Sequence, residues 1–287
     1  MSIRRAPRFS SATMRYGDRF GQYVINGFAG VGATSYVYKA RRGESFDAVA
    51  IKVLHPELLG DEVKRRRFVR EAEVMMQMDH PNVVRLEEIQ YGERSLAIVM
   101  EYVEGMTLAQ WRKRWHGRLD EHTLASVFVD VLRGLAHAHR KGIVHRDLKP
   151  ANIMLTQRDG QLRAKIIDFG VARLMDHPLE REDRDKIVGT AAYISPEEIQ
   201  DPEQLCPASD LYSLGVMLYE AACGRRPFEE GEGVEALLSA HLGEVPRAPR
   251  QLNPRLTSAM ESVILRTLRK EPGDRFDEAS QMIRALE

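Results

Sequence analysis

His145-Arg146-Asp147-Leu148-Lys149-Pro150-Ala151-Asn152 is followed, 16 residues after Asn152, by Asp168-Phe169-Gly170. Between the two runs, Ile153-Met154-Leu155 and Lys165-Ile166-Ile167 read as short strands on either side of a turn at Asp159-Gly160. The pair of motifs brings one base, one cation and two hard oxygen donors to a single place. Phosphoryl transfer from a nucleotide needs that inventory: a hydroxyl held in line, and charge neutralised on the phosphate oxygens. Asp147 can accept the hydroxyl proton as the new bond forms. Asn152 and Asp168 suit Mg²⁺, which keeps several waters and shares phosphates with few protein groups. Either motif alone can arise by chance; the order and separation together carry the weight.

The rest of the chain sets bounds on where such chemistry could sit. Its 287 residues can bury a sizeable core and leave room for two lobes. The 42 basic and 42 acidic residues cancel, so no global charge points to nucleic acid or to a membrane surface. Cys206 and Cys223 are the only cysteines, which excludes a disulfide scaffold and fits two buried thiols in a reducing cytoplasm. No apolar run reaches the length of a membrane span; the nearest, from Gly215 to Cys223, is interrupted by Glu220. Residues 1–19 carry Arg4, Arg5, Arg8, Arg15 and Arg19 with Ser10, Ser11 and Thr13, and read as a flexible basic arm rather than a transit peptide.

Strand patterns occur at Tyr23-Val24-Ile25, Tyr36-Val37-Tyr38 and Ala48-Val49-Ala50-Ile51, separated by Gly-rich segments. Residues 61–78 form a helical pattern with Phe68, Ala72, Met75 and Met76 on one face. Strands are expected again at 83–90 and 95–100. Residues 102–105 then make a hinge between a β-rich part (20–101) and a helical part (106–287). Beyond the hinge, helices are expected at 108–115, 121–141, 210–223, 234–241, 257–268 and 277–286. His80, in Asp79-His80-Pro81-Asn82, reads as turn chemistry.

Further motifs join the first pair. Gly30-Val31-Gly32-Ala33-Thr34-Ser35-Tyr36-Val37 lies between strands, where glycines let backbone N–H groups approach phosphate oxygens. It precedes Val49-Ala50-Ile51-Lys52; a lysine inside an apolar strand needs a partner, and Glu71 in Phe68-Val69-Arg70-Glu71-Ala72 is better placed than Glu73. Later come Gly189-Thr190, Ser195-Pro196-Glu197, Ser209-Asp210-Leu211 and Glu271-Pro272-Gly273-Asp274-Arg275. From about residue 20 to 286, this set resembles the catalytic domain of eukaryotic-type (Hanks-type) Ser/Thr protein kinases, in a bacterial style.

The resemblance implies an α+β, bilobal kinase-like fold and transfer of the γ-phosphoryl of MgATP to Ser or Thr of protein substrates, with autophosphorylation; Mn²⁺ can stand in for Mg²⁺. It assigns catalysis to Asp147, Lys149, Lys52, Glu71 and Thr190, and metal binding to Asn152 and Asp168. Nucleotide binding falls to Gly30, Gly32, Ser35, Val37, Ala50, Lys52, Met100, Glu101, Val103 and Met154. Met100 is expected at the back of the adenine pocket, with the backbone of 101–103 bonding the adenine edge. Lys149 goes with Ser/Thr specificity in the family, His145 and Phe169 belong to a hydrophobic spine with Met75, and Glu197 is expected to pair with Arg275. Asp210 is expected to hold the catalytic loop's backbone. A dimer of kinase domains is compatible with this reading, and nucleic-acid binding is not expected. A silent nucleotide-binding scaffold is disfavoured by the intact set of Lys52, Glu71, Asp147, Asn152 and Asp168. A small-molecule phosphotransferase is disfavoured by Thr190, Glu197 and Arg275.

Two features depart from the pattern. Ser35 stands at the third glycine of the loop, where a small side chain is tolerated but stiffens the backbone. Residues 171–189 contain no Ser, Thr or Tyr, although an arginine such as Arg146 before the catalytic Asp usually meets a phosphorylated residue. Glu180, Glu182, Asp183 and Asp185 offer carboxylates in place of phosphate. Separately, Trp111 and Trp115 lie among Arg112, Lys113, Arg114 and Arg118, a pattern that fits either docking of an acidic peptide or nucleic acid, or one packed helix face.

Overall fold

The computed structural model describes residues 5–6, 14–43, 47–92, 95–115, 119–169, 191–201, 206–229 and 233–287. The chain divides into two compact units, one of residues 1–80 with 84–104, the other of 81–83 with 105–287.

The first unit is built on a seven-stranded sheet: β1 (Arg5–Ala6), β2 (Arg19–Phe20), β3 (Tyr23–Val31), β4 (Ser35–Arg42), β5 (Ala48–Leu54), β6 (Leu86–Gly92) and β7 (Ser95–Glu101). Their spatial order is β1-β6-β7-β5-β4-β3-β2, and every pairing is antiparallel except β1 with β6. Alternating side chains place Phe20, Tyr23, Ile25, Tyr38, Ala40, Val49, Ile51, Ala97 and Val99 in one buried cluster. Helix α1 (Glu62–Met76) starts where Asp61 Oδ1 accepts the Lys64 N–H at 3.0 Å, a side-chain N-cap. Phe68, Ala72, Val74 and Met75 are buried along it. Met76, expected on the same face, is 47% exposed: it lies 100° around the axis from Met75, and the buried arc runs the other way, through Val74.

The second unit begins its pairing with three residues that precede the last two strands of the first. Ile166 N donates to Asn82 O at 2.9 Å, Asn82 Nδ2 donates to Ala164 O at 3.0 Å, and Val83 bridges Ile166 in parallel. The strand expected from 83 therefore starts only at Leu86, because the backbone of 82–83 pairs with the second unit's own sheet. That sheet contains β8 (Met106–Thr107), β9 (Ile153–Arg158) and β10 (Gln161–Ile166), ordered β10-β9-β8. Asp159 (φ 52°) and Gly160 (φ 76°) both take left-handed backbone, the requirement of a two-residue hairpin turn that the Asp-Gly pair satisfies.

Helices make up the rest: α2 (Leu108–Trp115), α3 (Glu121–Arg140), α4 (Pro196–Gln200), α5 (Pro207–Cys223), α6 (Val234–Gly243), α7 (Pro249–Leu252), α8 (Ser258–Thr267) and α9 (Ala279–Leu286). Among the described residues no helix is long and apolar enough to cross a membrane. Every residue from Ala208 to Cys223 is buried, so α5 is a central post, with α3, α7 and α8 packed against it. It stops at Gly224, whose φ of 79° is the left-handed C-cap that glycine accepts without strain. Cys223 is buried as expected, whereas Cys206, outside the helix as its N-cap, is only half-buried; the two do not form a disulfide.

Close packing against α8 depends on Gly215: a Cβ there would fall 2.4 Å from Thr267 Oγ1 and 2.7 Å from Thr267 Cβ. Gly215→Ala is expected to cost about 1–3 kcal/mol through overpacking. Urea unfolding should show a lower midpoint with an unchanged slope; a midpoint equal to that of the wild type would contradict this packing.

Candidate active site

In the first unit, β5 places Lys52 between Val37 of β4 and Ile98 of β7. Its Nζ lies 2.5 Å from Glu71 Oε1 on α1, and each side chain is 13% exposed. Burial of this kind requires the ammonium to have a counter-charge, and the helix register supplies Glu71 rather than Glu73. The Phe68 ring stands 6.0 Å from the same Nζ. Ala50 pairs with Met100, which is buried; Val103 follows β7, and Glu101 N donates to Arg85 O at 2.8 Å.

The glycine-rich turn closes through Gly32 N to Ser35 O at 2.8 Å. Neither Gly30 nor Gly32 has positive φ, and no protein atom closer than 3.6 Å would meet a Cβ at either position. The fold itself therefore does not demand glycine at either place, which leaves close approach by an outside group as the physical use of a bare backbone. Ser35, at the third position of the motif, is 2% exposed and pairs with Leu54 in β5, so this end of the loop is fixed in the sheet.

In the second unit, Asp147, Lys149 and Asn152 stand together. Lys149 Nζ reaches both carboxylate oxygens of Asp147, at 2.9 and 2.6 Å. Asn152 Nδ2 donates to the Asp147 carbonyl at 2.8 Å, and Asn152 N donates to Lys149 O at 2.9 Å. The amide nitrogen of Asn152 is committed in that way, so its hard carbonyl oxygen is the part of the side chain that can serve a cation. Ile167 N donates to Asn152 O at 2.9 Å, so Asp168 follows directly on the residue tied to Asn152. An amide oxygen and a carboxylate are a donor set that fits a divalent cation sharing its remaining positions with water and phosphate. Met154, half-buried on β9, pairs with Thr107 and Lys165. His145 and Phe169 are both fully buried, with ring centroids 4.9 Å apart, and serve packing.

Beneath this loop sits Asp210, in the first turn of α5. Its Oδ2 accepts His145 N and its Oδ1 accepts Arg146 N, both at 2.9 Å, and His139 Nε2 lies 2.7 Å from Oδ2. Burial would raise the Asp210 pKa, but the hydrogen bond and charge of His139, with the loop's contribution, outweigh it and hold the carboxyl below its ordinary value. Arg146 has φ 68°, unusual for a residue with a Cβ.

Glu197 and Arg275 form a second buried device, with two parallel bonds of 2.7 Å. Arg275 is 1% exposed and also donates to the carbonyls of Ala208, Arg269 and Lys270, while Ser209 Oγ donates to Glu197 Oε1 at 2.7 Å. Burial pushes Glu197 up, and the Arg275 bonds and charge, aided by Ser209, bring it below its ordinary value.

The roles of two buried carboxylates escaped the sequence reading: Asp130, which accepts both Arg163 nitrogens and Ala164 N, and Glu220, met by Tyr193 and Arg112; so did the link from His139 to Asp210. Asp130 and Glu220 each interrupt an apolar helical run, which was the available signal. Thr190, the acids at 180, 182, 183 and 185, Ser10, Ser11, Thr13 and the side chain of Trp115 lie outside the described residues.

Arg275→Met should leave Glu197 buried without its cation, at a cost of about 3–5 kcal/mol. Because the wild-type carboxyl titrates below its ordinary value of 4.5, its contribution to stability is present above that pH and lost as pH falls through the depressed value. In the variant, burial without Arg275 raises Glu197, so acidification through that range should recover part of the lost stability. Denaturant midpoints measured against pH would show the two curves converging; parallel curves would rule the account out.

A protein kinase domain family model matches residues 23–285. The chain is 37% identical over 266 residues to the serine/threonine-protein kinase PkaA of Streptomyces coelicolor, covering 88% of this chain and 47% of that protein. It is 35% identical over 263 residues to the serine/threonine-protein kinase PrkC of Bacillus subtilis, covering 91% of this chain and 39% of that protein. The chain thus spans less than half the length of these curated relatives. Among solved structures, the PknI kinase domain of Mycobacterium tuberculosis superimposes with a TM-score of 0.71 at 26% identity, over 96% of this chain and 98% of that one. On these matches, and with the buried acid–base framework described above, the chain belongs to the protein kinase domain family.

Proposed function

We propose that the chain transfers the γ-phosphoryl group of MgATP to Ser or Thr hydroxyls of protein substrates. The observation that carries this reading is the Asp147 carboxylate, gripped by Lys149 through both oxygens while Asn152 holds its backbone carbonyl. A base so fixed can take the hydroxyl proton as the oxygen–phosphorus bond forms and the bond to the ADP oxygen breaks. Lys149 then answers the negative charge spread over the transferred group. Lys52, oriented by Glu71, serves the α- and β-phosphates as a point charge, under the bare backbone of Gly30 and Gly32.

Asn152 and Asp168 are the residues that would hold Mg²⁺, or Mn²⁺ in its place; the bound ion would supply charge neutralisation on the phosphate oxygens. Ser35, Val37, Ala50, Met100, Glu101, Val103 and Met154 complete the nucleotide-binding set in this reading, and Thr190 the catalytic set. A silent scaffold is disfavoured because none of Lys52, Glu71, Asp147, Asn152 and Asp168 has been lost. Lys149 favours Ser/Thr over Tyr, in keeping with the names of the relatives.

Incubation with labelled ATP and a generic protein substrate tests the proposal. Asp147→Asn should lower transfer by about 10²–10⁴-fold while nucleotide binding persists. Lys52→Met should weaken transfer comparably, through lost phosphate positioning. No transfer by the wild type would favour a scaffold, and label on a metabolite alone would favour a small-molecule phosphotransferase.

A further inference from the structure

Ladder register puts Lys39 on the same face of the first unit's sheet as Lys52. Directly opposed residues share a face, and so do residues two apart on one strand. Gly27 of β3, Lys39 of β4, Ala50 of β5 and Met100 of β7 therefore form one row across that face. The neighbouring row runs through Gly30, Val37, Lys52 and Ile98. Gly30, Val37, Ala50, Lys52 and Met100 belong to the proposed nucleotide-binding set, and Lys39 stands among them without a part.

Lys39 is half-buried, and its Nζ lies 4.3 Å from the centroid of the Tyr102 ring, in the segment that follows β7. β5 separates β4 from β7, about 10 Å in two strand spacings, so the lysine stem runs over β5 to reach that ring. Its neighbours in the row, Gly27 and Ala50, are small and leave the stem room to lie across the sheet. Among the described residues no carboxylate pairs with the ammonium. The ring face takes that place, because the quadrupole of an aromatic ring attracts a cation at this distance. A carboxylate there would carry negative charge toward a triphosphate; a ring holds the cation without it.

We propose that Lys39 is a positioning residue for the nucleotide base: its ammonium, seated on the Tyr102 ring, latches the β3–β4 hairpin to the backbone of 101–103. The identity of the ligand rests on the phosphotransferase reading. In that reading the hairpin supplies Gly30 and Val37, and the segment at the end of β7 supplies Glu101 and Val103. Without the latch, these two parts of the base site are joined only through the β4–β5–β7 ladder, which can twist. A side chain tied across the face holds them at one separation. The two lysines of this face thus divide the work. Lys52 is held by Glu71 for the phosphates, and Lys39, one row away, is held by a ring for the base.

The test uses the whole chain and the displacement of a fluorescent N-methylanthraniloyl-ATP by ATP or by adenosine, with transfer to a generic protein followed in parallel. Lys39→Met keeps the stem and removes the charge. It should raise the Kd of ATP and of adenosine by the same factor, about two- to fivefold, as one cation–π contact provides. KM for ATP should rise alike, while kcat changes by less than about twofold. Lys39→Arg returns a cation to the ring and should restore the wild-type Kd. Tyr102→Leu should match Lys39→Met, and the double variant should be no worse than either alone. Unchanged Kd values in Lys39→Met, a loss for ATP without one for adenosine, additive losses in the double variant, or a fall in kcat at constant KM would each overturn the assignment. Tyr102→Leu and Lys39→Arg carry the same comparison should Lys39→Met not fold. A wild type that binds both ligands and transfers no label would sink the phosphotransferase reading alone; one that binds neither would sink the latch as well.

Discussion

Asp210 governs the geometry of the loop that carries Asp147. Its two oxygens accept the consecutive N–H groups of His145 and Arg146, from a position at the start of a helix that is buried along its whole length. Arg146 sits in left-handed backbone, which for a residue with a Cβ costs on the order of 1 kcal/mol or more. Two charge-assisted bonds from a rigid post offset that cost. The direction in which Asp147 leaves the turn follows from them. Asp147, Lys149 and Asn152 then lock to one another over a span of six residues. The carboxylate proposed as the base is thus positioned from below by backbone and from beside by side chains.

The same helix region organises two other buried acids. Ser209 on α5 bonds Glu197, whose partner Arg275 donates to Ala208 O on α5 as well as to the carbonyls of Arg269 and Lys270. Glu220, three turns further along, holds Arg112 and Tyr193. Replacing such pairs by apolar residues would often cost little, so stability alone does not account for them. What they provide is direction: a guanidinium or a backbone N–H is fixed by two bonds where an apolar contact would leave it several orientations. The post is apolar where it must pack and acidic where a loop or helix must be aimed.

Much of this was legible from local chemistry. The Asp159-Gly160 turn follows from a dipeptide that tolerates positive φ twice over, and the period-2 runs of 23–25, 36–38 and 48–51 gave strands because one face of each is buried. Lys52 pairs with Glu71 in the structure because a buried ammonium needs a carboxylate and the helix offers it there. Met76 and Val83 show where local pattern stops. An apolar residue at the last turn of a helix can face solvent, and a β-branched residue before a strand can pair with a different sheet. In both cases the decision belongs to neighbours distant in sequence.

Asp130 and Glu220 show the same limit from the polar side. Each looks, in sequence, like an interruption of an apolar run; each is in fact nearly inaccessible and bonded to an arginine, Arg163 or Arg112, from another element. Burial of an ion is locally unfavourable, so propensity and periodicity always argue against it. Only the partner makes it acceptable, and the partner is fixed by tertiary structure. An isolated acid inside an apolar helix is therefore better read as a request for a distant cation than as a break in the helix. On α5 that request recruits Arg112 from α2, and in doing so ties a basic helix to the buried post.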